Sequence, residues 1–170
     1  VPPQNILVTL GGGDFIEYLE RIAQDMSIPA MRGRTLRVLR GAMDAERIKK
    51  AFASCPARLE ILSRVDDMPS LLLETDLCIT AGGSTCWELC CLEVPFLTVE
   101  VAENQKKIAA GLDLLRFAPF FSAAELYKKL IIQSTVKVQE KISRLCDGAG
   151  ALRTAGYLHG IRDEHFILGS

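Results

Sequence analysis

An excess charge of either sign is missing from this chain, since 20 Lys+Arg stand against 21 Asp+Glu and leave a net charge of -1. A near-neutral total supplies no global attraction toward nucleic acid or anionic membrane surfaces, so neither partner is expected. No run approaches the roughly 18 apolar residues of a membrane span, and no secretory leader opens the chain. A soluble, cytoplasmic protein is the simplest expectation. There is no C-x-x-C pair, although six cysteines are present at Cys55, Cys78, Cys86, Cys90, Cys91 and Cys146. The two histidines, His159 and His165, lie far from them near the C-terminus. Without ligand spacing, the cysteines read as buried free thiols acting as small apolar residues, and no metal is expected. A G-K-[ST] triplet is also lacking, which removes a Walker loop.

What is present is ordinary globular composition, 49% hydrophobic and 24% charged, in a length that suits one domain over residues 1–170. Short β-rich runs alternate with helical spacing. Strands are expected at Ile6–Leu10, Thr35–Leu39, Leu59–Leu62, Leu77–Thr80 and Pro95–Val99. Between them, helices are expected at Phe15–Ala23, Ala45–Ala53, Met68–Glu74, Ser84–Leu92 and Asn104–Ala110. Such alternation implies an α/β fold, a parallel sheet with helices on both faces. Beyond residue 112 the alternation fades into a helical C-terminal region, with helices expected at Ala123–Ile132, Thr135–Cys146 and Ala151–His159.

Ligands of an open parallel sheet collect beyond the C-terminal ends of the strands. Three loops there carry unusual residues: Gly11-Gly12-Gly13-Asp14, Ala81-Gly82-Gly83-Ser84-Thr85, and Ala102-Glu103-Asn104-Gln105. In the second, paired glycines let the backbone approach a ligand closely. The helix that follows offers free N–H groups and the positive end of its dipole to a phosphate. Ser84 and Thr85 add hydroxyl donors, and Glu88, one turn on, can accept two hydrogen bonds from a ribose diol. A plainer reading stands beside this one: Thr85 and Glu88 have the spacing of a capping box. Asp14 with Glu17 carries the same ambiguity in the first loop, and in the third Asn104 can cap its helix while Glu103 and Gln105 face solvent. A dinucleotide fingerprint fits badly, because Ile16 takes the third glycine position and Arg40-Gly41 ends the second strand where an acid is required. No cofactor is expected.

Taken in order, Leu10–Asp14, the stretch Ala81-Gly82-Gly83-Ser84-Thr85-Cys86-Trp87-Glu88 through Pro95, and Ala102–Gln105 resemble the C-terminal domain of the pseudaminic-acid pathway UDP-sugar hydrolases and related spore-coat polysaccharide proteins. These share the wider fold of MurG-like, GT-B glycosyltransferases, and the resemblance covers roughly residues 5 to 155. It implies a Rossmann-like half of a two-domain enzyme that holds UDP or a UDP-sugar in an interdomain cleft. By position it puts Gly11, Gly12, Gly13 and Asp14 along the diphosphate, Gly82, Gly83, Ser84 and Thr85 on the phosphates, and Glu88 on the ribose. Asn104 and Gln105 would reach toward the sugar–diphosphate junction, with Glu103 beside them in the same substrate-binding loop, and the loop from Val65 to Met68 would lie along the base. It further implies hydrolysis of the sugar–UDP bond, with transfer to an acceptor or a non-catalytic role as alternatives. The family's water-positioning histidine belongs to an N-terminal domain, so no catalytic residue is expected here. His159 and His165 match no such motif. Val1-Pro2-Pro3-Gln4, just before the first strand, reads as an interdomain linker from that domain. Two positions depart from the family: Gly13 stands where serine is common, and Leu89 where a polar residue often follows the glutamate.

Overall fold

The computed structural model describes residues 2–99, 101, 116–117 and 148–158. Within them lie strands β1 (Asn5–Thr9), β2 (Thr35–Leu39), β3 (Arg58–Leu62), β4 (Leu77–Ala81), β5 (Phe96–Val99) and β6 (Arg116–Phe117). The helices are α1 (Ile16–Met26), α2 (Ala45–Ala51), α3 (Met68–Leu73), α4 (Thr85–Cys91) and α5 (Gly150–Leu158). All neighbouring strands pair in parallel, in the order β3-β2-β1-β4-β5-β6. The expected α/β class, a Rossmann-like parallel sheet with helices on both faces, is therefore observed.

Alternation along the strands divides the core between the two faces. Ile6, Val8, Val38, Ile79 and Leu97 point one way, onto Leu19, Ile22 and Met26 of α1 and Ile48 of α2. Leu7, Cys78 and Phe96 point the other way, onto Leu72 of α3 and Cys86, Leu89 and Cys90 of α4. Both sets are required because β1 and β4 are covered on both sides, which is why they read as unbroken apolar runs. Each fully buried aliphatic side chain, such as Leu19, contributes about 1.5–3 kcal/mol through water exclusion.

The thiols follow the same logic in part. Cys78, Cys86 and Cys90 are buried free thiols, but Cys55 is only half-buried and Cys91 is exposed. Burial pushes the Cys78 thiol far up, with the neighbouring Cys86 adding to the effect. It pushes Cys86 up to about 11. These groups pack as uncharged apolar residues.

Several local details depart from the sequence-based expectations. The two-residue strand β6, which pairs Thr98 with Arg116 and Val99 with Phe117, lies where alternation was expected to have ended. Two residues are too few to display a period. A short 3₁₀ turn at Pro29–Met31 was likewise unannounced. The expected helices at Asn104–Ala110, Ala123–Ile132 and Thr135–Cys146 lie outside the described residues, as do His159, His165 and Cys146.

α4 ends in a complete Schellman arrangement. The Glu93 N–H donates to Cys90 O at 3.2 Å and the Val94 N–H to Leu89 O at 3.0 Å, while Glu93 itself sits at φ 56. Glycine usually takes that left-handed position, and buried Val94 and Leu89 supply the accompanying apolar contact. No helix among the described residues is long and apolar enough to cross a membrane.

Candidate functional site

Strand order decides where a ligand can sit. β1 and β4 are neighbours although β2, β3 and their helices intervene in the chain, and Thr9 pairs with Thr80. After that pair, the chain leaves β1 toward α1 on one face and leaves β4 toward α4 on the other. The two exits separate at the reversal point of the strand order, where an open α/β sheet forms its ligand crevice. Gly11–Asp14 and Gly82–Thr85 follow immediately, so two loops distant in sequence leave neighbouring strands at the place where such a sheet offers a crevice, one on each lip.

The first lip has a backbone that only particular residues allow. Gly11 has φ 96, in the left-handed region, and a Cβ there would touch nothing. Its carbonyl is pressed from behind by the turn after β2: a Cβ on Gly41, itself at φ 54, would lie 2.5 Å from Gly11 O. The Ala42 N–H donates to Gly12 O at 3.2 Å, closing the contact. Gly41 thus clamps the glycine loop, a role that the sequence signalled only as an Arg-Gly pair ending a strand. At Gly13, a Cβ would lie 2.8 Å from the Phe15 ring, so the serine common at this position in the resembling family requires the ring to move.

Asp14 does not complete a capping box with Glu17. Phe15 takes the N-cap position of α1, and Asp14 reaches the helix from one residue further out, its Oδ1 accepting from the Ile16 N–H at 3.3 Å. The box expected at Thr85 and Glu88 is not formed either. Ser84 takes the N-cap position with helical angles (φ -61, ψ -28) and makes no side-chain cap bond, and Thr85 is already the first helical residue. The second lip turns sharply, with the Gly83 N–H donating to Ala81 O at 2.7 Å. The Ser84 and Thr85 hydroxyls and the Glu88 carboxylate consequently make no hydrogen bond among the described residues, nor do the amides of Gly12, Gly13, Ser84 and Thr85. Amides and hydroxyls left open on two facing lips are what an oxyanion group such as a diphosphate requires.

The loop after β3 has structural duties. Asp67 caps α3, its Oδ1 accepting from the Ser70 N–H at 3.1 Å and its Oδ2 from the Ser70 hydroxyl at 2.6 Å. Those bonds hold the Asp67 carboxyl below its ordinary range. Asp66 pairs with Arg64, at 2.7 Å. Met68 packs its side chain against the core cluster beneath α4, and Val65 is half-buried. A base could therefore meet only backbone and the edges of these side chains there. Glu103, Asn104 and Gln105 lie outside the described residues. No group of acidic, histidine or cysteine side chains suited to a metal occurs among the described residues.

Proteins similar to this chain share this geometry at the level of the fold. A crystal structure of MurG from Acinetobacter baumannii superposes with TM-score 0.78 over 93% of this chain and 50% of its own, at 17% identity. The fold is one GT-B half. Among curated proteins, the spore coat polysaccharide biosynthesis protein SpsG of Bacillus subtilis is 24% identical over 175 residues, covering 95% of this chain and 51% of that protein. A UDP-N-acetylglucosamine–N-acetylmuramyl-(pentapeptide) pyrophosphoryl-undecaprenol N-acetylglucosamine transferase of Sulfurimonas denitrificans is 28% identical over 92 residues, covering 52% of this chain and 27% of that protein. No family model matches. The chain spans about half the length of SpsG, the longest of these alignments.

Proposed function

We propose that this chain is the nucleotide-sugar-binding half of a GT-B glycosyltransferase-type enzyme in polysaccharide biosynthesis, with UDP as the nucleotide. The observation that carries the reading is the departure of two glycine loops from neighbouring strands at the β1/β4 reversal point, with the Ser84 and Thr85 hydroxyls and the amides of Gly12, Gly13, Ser84 and Thr85 making no hydrogen bond among the described residues. In this reading Gly11, Gly12, Gly13 and Asp14 border the diphosphate from one side. Gly82, Gly83, Ser84 and Thr85 donate to it from the other, and Glu88 accepts from the ribose hydroxyls. The diphosphate is the leaving group when the anomeric bond breaks, and donors fixed in advance around its oxygens stabilise the charge that develops there. Val65 and Met68 would border the base, and Glu103, Asn104 and Gln105 the sugar.

A second domain, facing this crevice, would supply the acceptor and any proton-transferring group, and this half would contribute no catalytic residue of its own. Transfer is favoured over the hydrolysis first expected because relatives of this chain whose names state a reaction are N-acetylglucosamine transferases. A pseudaminic-acid role has no comparable support.

Calorimetric titration of the 170-residue chain with UDP, alongside CMP and NAD, tests the reading. UDP binding that Glu88→Ala weakens by about 1–3 kcal/mol, the value of a hydrogen bond to a charged group, is the expected result. Failure of UDP to bind at millimolar concentration, or binding indifferent to Glu88, would sink it.

A further inference from the structure

Arg40 is the first residue beyond β2, and its N–H donates to Leu62 O at 3.0 Å. Because Leu39 pairs with Thr9, Arg40 stands level with Leu10, one residue before the first glycine loop. Its side chain is partly buried, and Nη1 donates to Met43 O at 3.0 Å. Among the described residues, no carboxylate lies within ion-pairing distance of it. That sets it apart from Arg37, Arg47, Arg58 and Arg64, each of which meets a carboxylate at 2.7 to 3.2 Å. Arg34 also meets no acid among the described residues, but it spends its guanidinium on the carbonyls of Ala30 and Pro3 at the opposite end of the sheet.

A guanidinium carries five N–H donors in a planar fork, and Met43 O engages only one group of it. Partial burial without a counter-charge is unfavourable, and an arriving oxyanion removes that penalty. The turn that carries Arg40 is also held in place. A Cβ on Gly41 would fall 2.5 Å from Gly11 O, so only glycine fits there, and the Ala42 N–H donates to Gly12 O. Backbone contacts therefore register this cation against the glycine loop.

We propose that Arg40 is the cationic wall of an oxyanion subsite on the β2 side of the first glycine loop, receiving a phosphate or carboxylate oxygen of the bound nucleotide sugar. The inference rests on the nucleotide-sugar reading for its ligand but not for its chemistry, so pyrophosphate alone serves as the first probe. The side-chain Nε–H signal of Arg40 is followed by NMR as pyrophosphate is added to the full chain. Affinities for pyrophosphate, UDP, uridine, UDP-glucose and UDP-glucuronate are then compared between the unaltered protein and Arg40→Gln. Arg32→Gln, which removes an exposed cation before β2 at the far end of the sheet, controls for net charge.

The Arg40 signal should shift on adding pyrophosphate. Arg40→Gln should weaken pyrophosphate and UDP about tenfold to a hundredfold, leaving uridine unchanged, if a phosphate is the occupant. A loss confined to UDP-glucuronate relative to UDP-glucose supports the subsite with a sugar carboxylate as its occupant. Equal weakening by Arg32→Gln, or unchanged affinity for every probe in Arg40→Gln, overturns the proposal. If pyrophosphate shifts Arg40 while no uridine compound binds, the subsite stands and the nucleotide-sugar reading falls.

Discussion

Replacing Gly41 with alanine tests the clamp on the first glycine loop, and Gly33→Ala provides a matched reference. Both glycines have left-handed backbones, at φ 54 and φ 79. A Cβ at Gly33 meets nothing within 4 Å, whereas one at Gly41 lies 2.5 Å from Gly11 O and 3.2 Å from both the C and Cα of Gly12. Gly33→Ala therefore incurs only the left-handed strain, about 1–2 kcal/mol. Gly41→Ala incurs that strain plus an overlap with backbone atoms, which cannot rotate away as a side-chain tip can. Overpacking of this kind costs about 1–3 kcal/mol. Urea unfolding of the two variants, with free energies extrapolated to water, reads the difference directly. Gly41→Ala should be the less stable by about 1–3 kcal/mol, and it alone should weaken UDP binding, since Gly33 lies at the other end of the sheet. Equal destabilisation by the two substitutions would refute the argument, because the turn would then be yielding and Gly41 would hold nothing in place.

Glu93→Gly should raise the melting temperature, with a gain of up to about 1 kcal/mol, because glycine relieves the left-handed strain at the Schellman position and gives back part of it as chain entropy. A calorimetric scan showing a lower melting temperature would contradict this. Asp67→Ala should destabilise α3; because the folded Asp67 carboxyl titrates below its ordinary value, its contribution is present above the unfolded pKa of 3.8 and fades as pH falls through the lower folded value, so the variant's deficit should shrink in acid unfolding measurements. Cys86 has the opposite sign for an acid: its pKa rises from 9.0 to about 11, so stability from the buried neutral thiol is complete below pH 9 and declines toward pH 11. Mass spectrometry after brief iodoacetamide treatment should find Cys91 modified while Cys78, Cys86 and Cys90 wait for unfolding, since the first is exposed and the others are buried.

Much of the fold was legible because its signals are local. The strands β1, β4 and β5 are buried almost throughout, so they read as compact, mainly apolar runs, whereas in β2 and β3 apolar residues alternate with Arg37, Arg58 and Glu60. The helix α1 declared itself through Phe15, Ile16, Leu19, Ile22 and Ala23, and the structure carries the buried stripe one turn further, to Met26. The glycine loops were visible as sequence because a backbone at φ 96 strongly favours glycine at Gly11. The capping boxes that spacing allowed at Asp14/Glu17 and Thr85/Glu88 do not form, because side-chain spacing does not say which residue enters the helix first: Phe15 and Ser84 take the N-cap positions, and no reciprocal bond is made. The two-residue strand β6 passed unseen for want of a period.

What the sequence by itself determined is the succession of elements and the chemistry available on their connecting loops. Hydrophobic periodicity and turn residues act over a few positions, and those are written along the chain. Only the tertiary structure decided that β4 lies against β1, that the loops bearing Gly12 and Gly83 therefore leave neighbouring strands, and that Gly41 presses on Gly11. Such contacts join residues some 30 to 70 positions apart through strand pairing and shape. No local pattern encodes them; they follow from how the two faces of the sheet are buried at once.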